Sequence, residues 1–209
     1  MRKITPFKTI NETIQSLDNG GQFYHIQTKA KDWIINQSEL GKVGGVFNDK
    51  QQMILFLEMS MMKLTREEKN VVISMLDSDL QKTFAKYKSQ ELLSSEAHEK
   101  GIISSNVIMA GIPKKIDANS DFKGFLMFPV MSGSVITFMM IPIVDKYDVY
   151  EIRDEASAET FFIAHSNDSE RFMNKKAMLG GVLKEMKANE NEQVPTKKFL
   201  EVTYYIELE

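Results

Sequence analysis

Cysteine is absent from the 209 residues, which excludes disulfides, thiolate metal sites and cysteine nucleophiles. Histidine is scarce: His25, His98 and His165 are the three present, and none forms a His-x-His or His-x-x-x-His pair, so no zinc signature exists. Long apolar runs are missing too. The most apolar helical stretch, residues 53–64, is too short to span a bilayer and carries Glu58 and Lys63. The N-terminal Met-Arg-Lys-Ile-Thr-Pro-Phe-Lys lacks the apolar core of a signal peptide, so a cytoplasmic protein without membrane insertion is expected. Positive charge is not in excess. A net charge of −3 and a pI near 5.7 argue against nucleic acid as an electrostatically driven partner. No Walker loop, dinucleotide fingerprint or Gly-x-Ser-x-Gly elbow occurs; Gly-Lys-Val-Gly-Gly at 41–45 lacks the Lys-Ser/Thr that would follow in a phosphate loop and reads as a helix end.

What the chain does contain is an ordinary globular balance, 43% hydrophobic and 26% charged, together with 14 methionines. Most of the methionines fall inside apolar runs, where a flexible thioether fills irregular gaps in a core. The strongest local pattern is a near-repeat. Phe125-Leu126-Met127-Phe128-Pro129-Val130 and Phe138-Met139-Met140-Ile141-Pro142-Ile143 flank Ser132-Gly133-Ser134 and read as a β-hairpin. A two- or three-residue connection sets Met127 roughly opposite Met139 and Phe125 opposite Ile141. Neither strand alternates, so both faces of the hairpin need cover.

Along the chain, helical signals come first. Thr5-Pro6 reads as a cap and first-turn proline for a helix ending at Asn19-Gly20-Gly21, and 23–27 is short and extended. Residues 29–40 are similar in spacing to the second half of an EF-hand loop at Asp32, Ile35 and Glu39. Trp33 occupies the glycine position, however, and Thr28 and Ala30 the first ligand positions, so a short strand and a helix capped by Ser38 are expected instead. Asn48 caps a helix to about Leu64 that is apolar on two sides, Met53, Leu57, Met61 and Leu64 against Leu55, Met59 and Met62, which marks a central element. Thr65-Arg66-Glu67-Glu68 is a capping box, Asp77 or Ser78 opens a further helix, and Ser94-Ser95-Glu96 caps one more turn.

Strand signals follow at 105–112, the hairpin, 147–153 and 160–164. A helix is expected over 169–188, striped by Phe172, Leu179, Val182, Leu183 and Met186 and interrupted by Gly180-Gly181. The last segment alternates Leu200, Val202, Tyr204, Ile206 and Leu208 with Glu201, Thr203, Tyr205 and Glu207, giving one buried and one wet face. The fold class is therefore α+β: a helical N-terminal half packed on a mainly antiparallel C-terminal sheet of about five or six strands, with one long helix near the C-terminus. Residues 1–103 form a mainly helical subdomain and 104–209 a sheet subdomain within one compact unit.

Four carboxylates, Asp145, Asp148, Glu151 and Asp154, recur at intervals of three. In a strand such spacing alternates faces, so they cannot converge on one metal. Asp148 and Tyr150 share a face, and with His165 on the next strand they form the candidate polar ligand-binding group, able to do acid–base work if it lines a cleft. No catalytic residue, metal or cofactor is assigned. The function that fits best is a non-enzymatic interaction or assembly protein, a homo-oligomer or the partner of another protein. Its surface would be the Met-rich helix and the hairpin, with Phe125, Met127, Phe138 and Met140 as contact residues. A binding module for an apolar or aromatic small molecule, an enzyme using the polar group, and a single-strand nucleic-acid binder are the alternatives.

Overall fold

The computed structural model describes residues 1–19, 32–115, 125–132, 135–142, 147–153, 159–166, 172, 175–186 and 197–208; for the 125–142 strands and for Met186 and Lys197 the description is of the backbone. In chain order the elements are β1 (Arg2–Lys3), α1 (Ile10–Leu17), α2 (Gln37–Gly44), α3 (Lys50–Ser60), α4 (Arg66–Ser74), α5 (Ser78–Tyr87), β2 (Gln90–Glu91), α6 (Ala97–Lys100), β3 (Asn106–Gly111), β4 (Lys114–Lys115), β5 (Phe125–Ser132), β6 (Val135–Pro142), β7 (Tyr147–Arg153), β8 (Thr160–Ser166), β9 (Ala177–Met186) and β10 (Lys197–Glu207). The fold is α+β. It divides into a helical unit, Ile4–Ser89, and a second unit comprising Met1–Lys3 and Gln90–Glu209.

In the helical unit each start is set by a side chain that accepts from an orphan amide of the first turn. Thr9 caps α1, so that helix begins after the Thr5-Pro6 pair expected to open it. Asn36, rather than Ser38, caps α2 and forms a capping box with Glu39; Asp49, rather than Asn48, caps α3. Thr65 and Glu68 make the expected capping box on α4, and Asp77 caps α5. Asp32 accepts from the Ile34 amide and Glu39 from that of Asn36, so both acids of the EF-hand-like spacing serve local backbone. The expected segment 23–27 lies outside the described residues. Helix α3 is the interior element: Met53, Ile54, Leu55, Phe56, Leu57, Met59 and Ser60 are all buried. Gly44 lets α2 approach it closely, since a Cβ there would sit 2.9 Å from the Phe56 ring. Met53, Met59 and Met61 are covered within the chain, so this stretch of the Met-rich helix is core.

The second unit holds an eight-stranded mixed sheet ordered β2-β3-β9-β10-β8-β7-β4, with β1 paired to β10. The expectation of a mainly antiparallel sheet is corrected: β1/β10, β8/β10 and β2/β3 are parallel, beside antiparallel β3/β9, β9/β10, β7/β8 and β4/β7. The expected C-terminal helix is also corrected, because residues 177–186 form strand β9 between β3 and β10. Its Met, Leu, Lys and Glu favour helix, but two adjacent glycines cost a helix about 1 kcal/mol each. In the strand Gly181 lies directly against the backbone of β10, and this tertiary contact decides.

The sheet is rolled. In a flat sheet β3 and β7 would stand four strand spacings apart, about 19 Å. Instead a Cβ on Gly111 at the end of β3 would lie 2.6 Å from the Arg153 carbonyl of β7. Strand β3 runs through Ile112-Pro113 into β4, which pairs with β7, so one bent segment serves both ends of the sheet and closes a partly open five-stranded barrel. Pro113 has no amide hydrogen for a ladder and sits where the segment changes partner. The ladder registers assign the interior: Val107, Met109, Tyr150, Ile152, Phe161, Ile163, Leu179, Leu183, Leu200, Val202 and Tyr205 form one buried cluster. Strand β10 carries a bulge between Val202 and Tyr204, which shifts the alternation by one residue. That bulge puts Tyr205, expected on the wet face, in the interior cluster beside Leu200 and Val202, and removes Tyr204 from it.

Strands β5 and β6 form a separate two-stranded sheet. Their ladder runs from Phe125↔Pro142 to Ser132↔Val135, so Met127 faces Met140 rather than Met139, and Phe125 faces Pro142 rather than Ile141. The one-residue correction follows from where the ladder closes, since Ser132 is paired and not part of the connection.

Candidate functional site

Asp148 and His165 are cross-strand partners on β7 and β8, and Tyr150 pairs with Ile163 two steps along. Partners across an antiparallel ladder share a face, as do alternate residues in a strand. Asp148, Tyr150 and His165 therefore come together on the barrel's inner face. The imidazole Nδ1 donates to the Ser166 carbonyl at 2.9 Å, which leaves Nε2 to accept from the Tyr150 hydroxyl at 3.3 Å. The two rings stack with centroids 5.4 Å apart, and Phe172 stands edge-on to both, at 5.0 Å from Tyr150 and 5.2 Å from His165. Phe172 also meets Tyr205 edge-on at 5.7 Å. From the adjoining strand β4, Lys115 Nζ reaches Asp148 Oδ1 at 2.6 Å.

Burial decides what this group can do. His165 is 0% exposed, Tyr150 1% and Asp148 9%. An imidazole closed off from water holds a proton in place and offers none to a diffusing substrate, so the described geometry favours a structural polar network over acid–base chemistry. Burial is also the main reason the imidazole sits below its usual 6.5. Lys115 and the Met1 ammonium act in the same direction, while the Ser166 carbonyl and Asp148 oppose.

Lys115 and Phe172 were not legible as members of this group. Lys114-Lys115 reads as an exposed pair, and Phe172 fits the stripe of the expected helix. His98, by contrast, lies edge-on to Phe161 at 4.7 Å, and its carbonyl, with that of Gly101, accepts from Lys198 Nζ. Lys198 thus satisfies the end of α6, whose Ala97 belongs to the barrel cluster. Asp145, Asp154 and His25 lie outside the described residues. Among the described residues no group of three or more His, Asp or Glu could hold a metal ion.

On the outer face of the same strands, Tyr147 donates to Glu201 at 2.5 Å and Lys184 pairs with the other Glu201 oxygen at 2.5 Å. Burial first, then the Glu201 hydrogen bond, raises the Tyr147 hydroxyl far above its ordinary range. Val149, Ala164 and Phe199 are buried there, with Tyr147 and Phe162 half-buried against them. The side chains of Phe125, Met127, Phe138 and Met140 lie outside what the structure describes; their backbone forms the β5–β6 ladder.

No protein-family model matches the chain. No curated protein matches it either. Among solved structures it is similar to the N-terminal domain of an archaeal MCM, at 10% identity and a TM-score of 0.39 over 95% of this chain and 92% of that one. A likeness at that level carries no argument about this protein.

Proposed function

We propose that this protein is a non-enzymatic interaction module that docks onto a second copy of itself or another protein through the β5–β6 hairpin. One observation carries the reading: the hairpin closes its ladder on itself as a separate two-stranded sheet while one alternate set is wholly apolar and the other is apolar at six of its eight positions. One set contains Phe125, Met127, Pro129 and Met131 with Ile136, Phe138, Met140 and Pro142. The other contains Leu126, Phe128, Val130 and Ser132 with Val135, Thr137, Met139 and Ile141, so Ser132 and Thr137 at the connection end are its polar members. A lone two-stranded ribbon is marginal in water, and among the described residues neither of its edges pairs with a further strand. Covering one set with the rest of the chain leaves the second for a partner.

Paired lysine substitutions separate the two sets: Met127→Lys with Met140→Lys, and Phe128→Lys with Met139→Lys. One pair is expected to weaken self-association or partner capture by about tenfold or more while the chain's unfolding midpoint stays in place. Unchanged association in both pairs would refute the docking role.

A second reading is supported by the barrel. A bent first strand shared between both ends, and a third strand parallel to the fifth, resemble the OB-fold, whose second and third strands can bind oligonucleotides or oligosaccharides. Here those strands are β7 and β8, with Tyr147 and Phe162 half-buried on the outer face. On that face Glu151 and Glu201 stand among Lys114, Arg153 and Lys184, so it has no acidic excess of its own, and what disfavours a phosphate backbone is the chain's net charge of −3. Anisotropy of a labelled oligothymidine at low salt decides between the readings, with no binding expected.

A further inference from the structure

The inner group at His165 joins a buried titratable ring to a two-residue edge strand. Strand β4 contains two residues, Lys114 and Lys115, paired with Glu151 and Tyr150. Besides that short ladder, the Lys115–Asp148 ion pair ties β4 to β7. Asp148 is at the same time the cross-strand partner of His165. One carboxylate therefore stands between the Lys115 side chain and an imidazole that is neutral until it takes up a proton.

We propose that His165, Asp148 and Lys115 form a proton-operated latch: when the imidazole gains a proton, the Asp148 carboxylate turns from Lys115 to the imidazolium, and β4 comes away from the edge of β7. The groups that face the ring support this direction. From β7 come Asp148 and Tyr150, from β4 Lys115, from the residue-172 segment the uncharged Phe172, and from the N-terminus the Met1 ammonium. Beyond Phe172 stands Tyr205 of β10. Among the described residues a new positive charge there meets the Lys115 and Met1 ammonium groups and the Asp148 carboxylate. Cross-strand partners lie about 5 Å apart at Cβ, so Asp148 reaches the ring by rotating its side chain. Lys115 is the group able to leave, because its side chain is 42% exposed and water can take up the ammonium. Tyr150 yields Nε2 to the carboxylate, because the hydroxyl that donates to the neutral ring loses its acceptor once Nε2 carries a proton, while Nδ1–H stays on the Ser166 carbonyl.

The pH window follows from the sign of the perturbation. A buried ring held below 6.5 is neutral in the folded chain, whereas the unfolded chain takes up the proton at the ordinary value. Stability from this group is complete above about pH 6.5 and falls as acid carries the solution down toward the lowered folded value. The latch thus opens on the acidic side. It matters for the fold because β4 is the segment through which the barrel closes.

Hydrogen exchange read by mass spectrometry on the whole chain tests this at about pH 7.5 and at a pH below the His165 midpoint read by NMR, with rates corrected for intrinsic exchange. Amides of β4 and the facing edge of β7 should exchange about tenfold faster in acid while the β9–β10 ladder stays protected. His165→Gln should abolish the difference. A wild-type NMR titration of the His165 ring needs no variant, and its midpoint should coincide with that of the β4 change. No acid-dependent change at β4, equal acceleration throughout the barrel, persistence in His165→Gln, or a different NMR midpoint would each overturn the latch.

Discussion

Gly181→Ala is expected to destabilise the protein by about 4 kcal/mol or more, or to prevent the barrel unit from folding. A Cβ at that position would lie 2.1 Å from the Glu201 carbonyl oxygen, 2.8 Å from its carbon and 2.9 Å from the Val202 Cα. These are backbone atoms of a paired strand, so no rotamer change relieves the clash. Strand β9 is central, laddered to β3 on one side and β10 on the other, and displacing it disturbs both ladders. Urea unfolding followed by circular dichroism measures the loss. Gly111→Ala tests barrel closure in the same assay, because its Cβ would meet the Arg153 carbonyl and Ile152 Cγ1 at 2.6 Å each. Near-neutral behaviour of both variants would contradict the rolled sheet.

Leu57→Ala is expected to cost about 2–5 kcal/mol, the range for a large apolar side chain removed from a core that collapses incompletely. Leu57 is 0% exposed, in a helix where Met53, Ile54, Leu55 and Met59 are also fully buried. Its neighbour Glu58 points to a different outcome than spacing suggests. Spacing predicts a far smaller loss for Glu58→Ala than for Leu57→Ala, yet the Glu58 carboxylate accepts from the Ser89 amide at 2.9 Å and from the Ser89 hydroxyl at 2.5 Å, tying α3 to the chain just beyond α5. Glu58→Ala is therefore expected to cost about 1.5 kcal/mol, in keeping with bonds to a charged acceptor. Denaturant midpoints at a constant m-value give both numbers, and Leu57→Ala should remain the larger.

Local chemistry was the legible part of this fold. The capping box at Thr65, the Asp77 start, the strand at 147–153 and the two-sided helix α3 all announce themselves, because caps, alternation and spacing act over a few residues. What the sequence concealed lies in long-range pairing. The 177–186 segment carries helix-forming residues at helical spacing, and only the approach of Glu201 and Val202 from β10 reveals why two glycines stand there. The bulge in β10 moves Tyr205 inward, and the alternation of Leu200 to Leu208 contains no sign of it. At the candidate site, Asp148, Tyr150 and His165 could be grouped because β7 and β8 pair in antiparallel order. Lys115 could not be, since its strand is two residues long and follows a proline. The closure of the group against solvent was equally hidden, because burial is a property of the barrel and not of either strand.

Sedimentation velocity of the whole chain across a broad concentration range tests the docking proposal most directly. The account predicts a species heavier than the 23.9 kDa protomer that grows with concentration and returns to 23.9 kDa when the docking set of the hairpin is changed to lysine. A single 23.9 kDa species at every concentration, with no co-purifying protein, would contradict it.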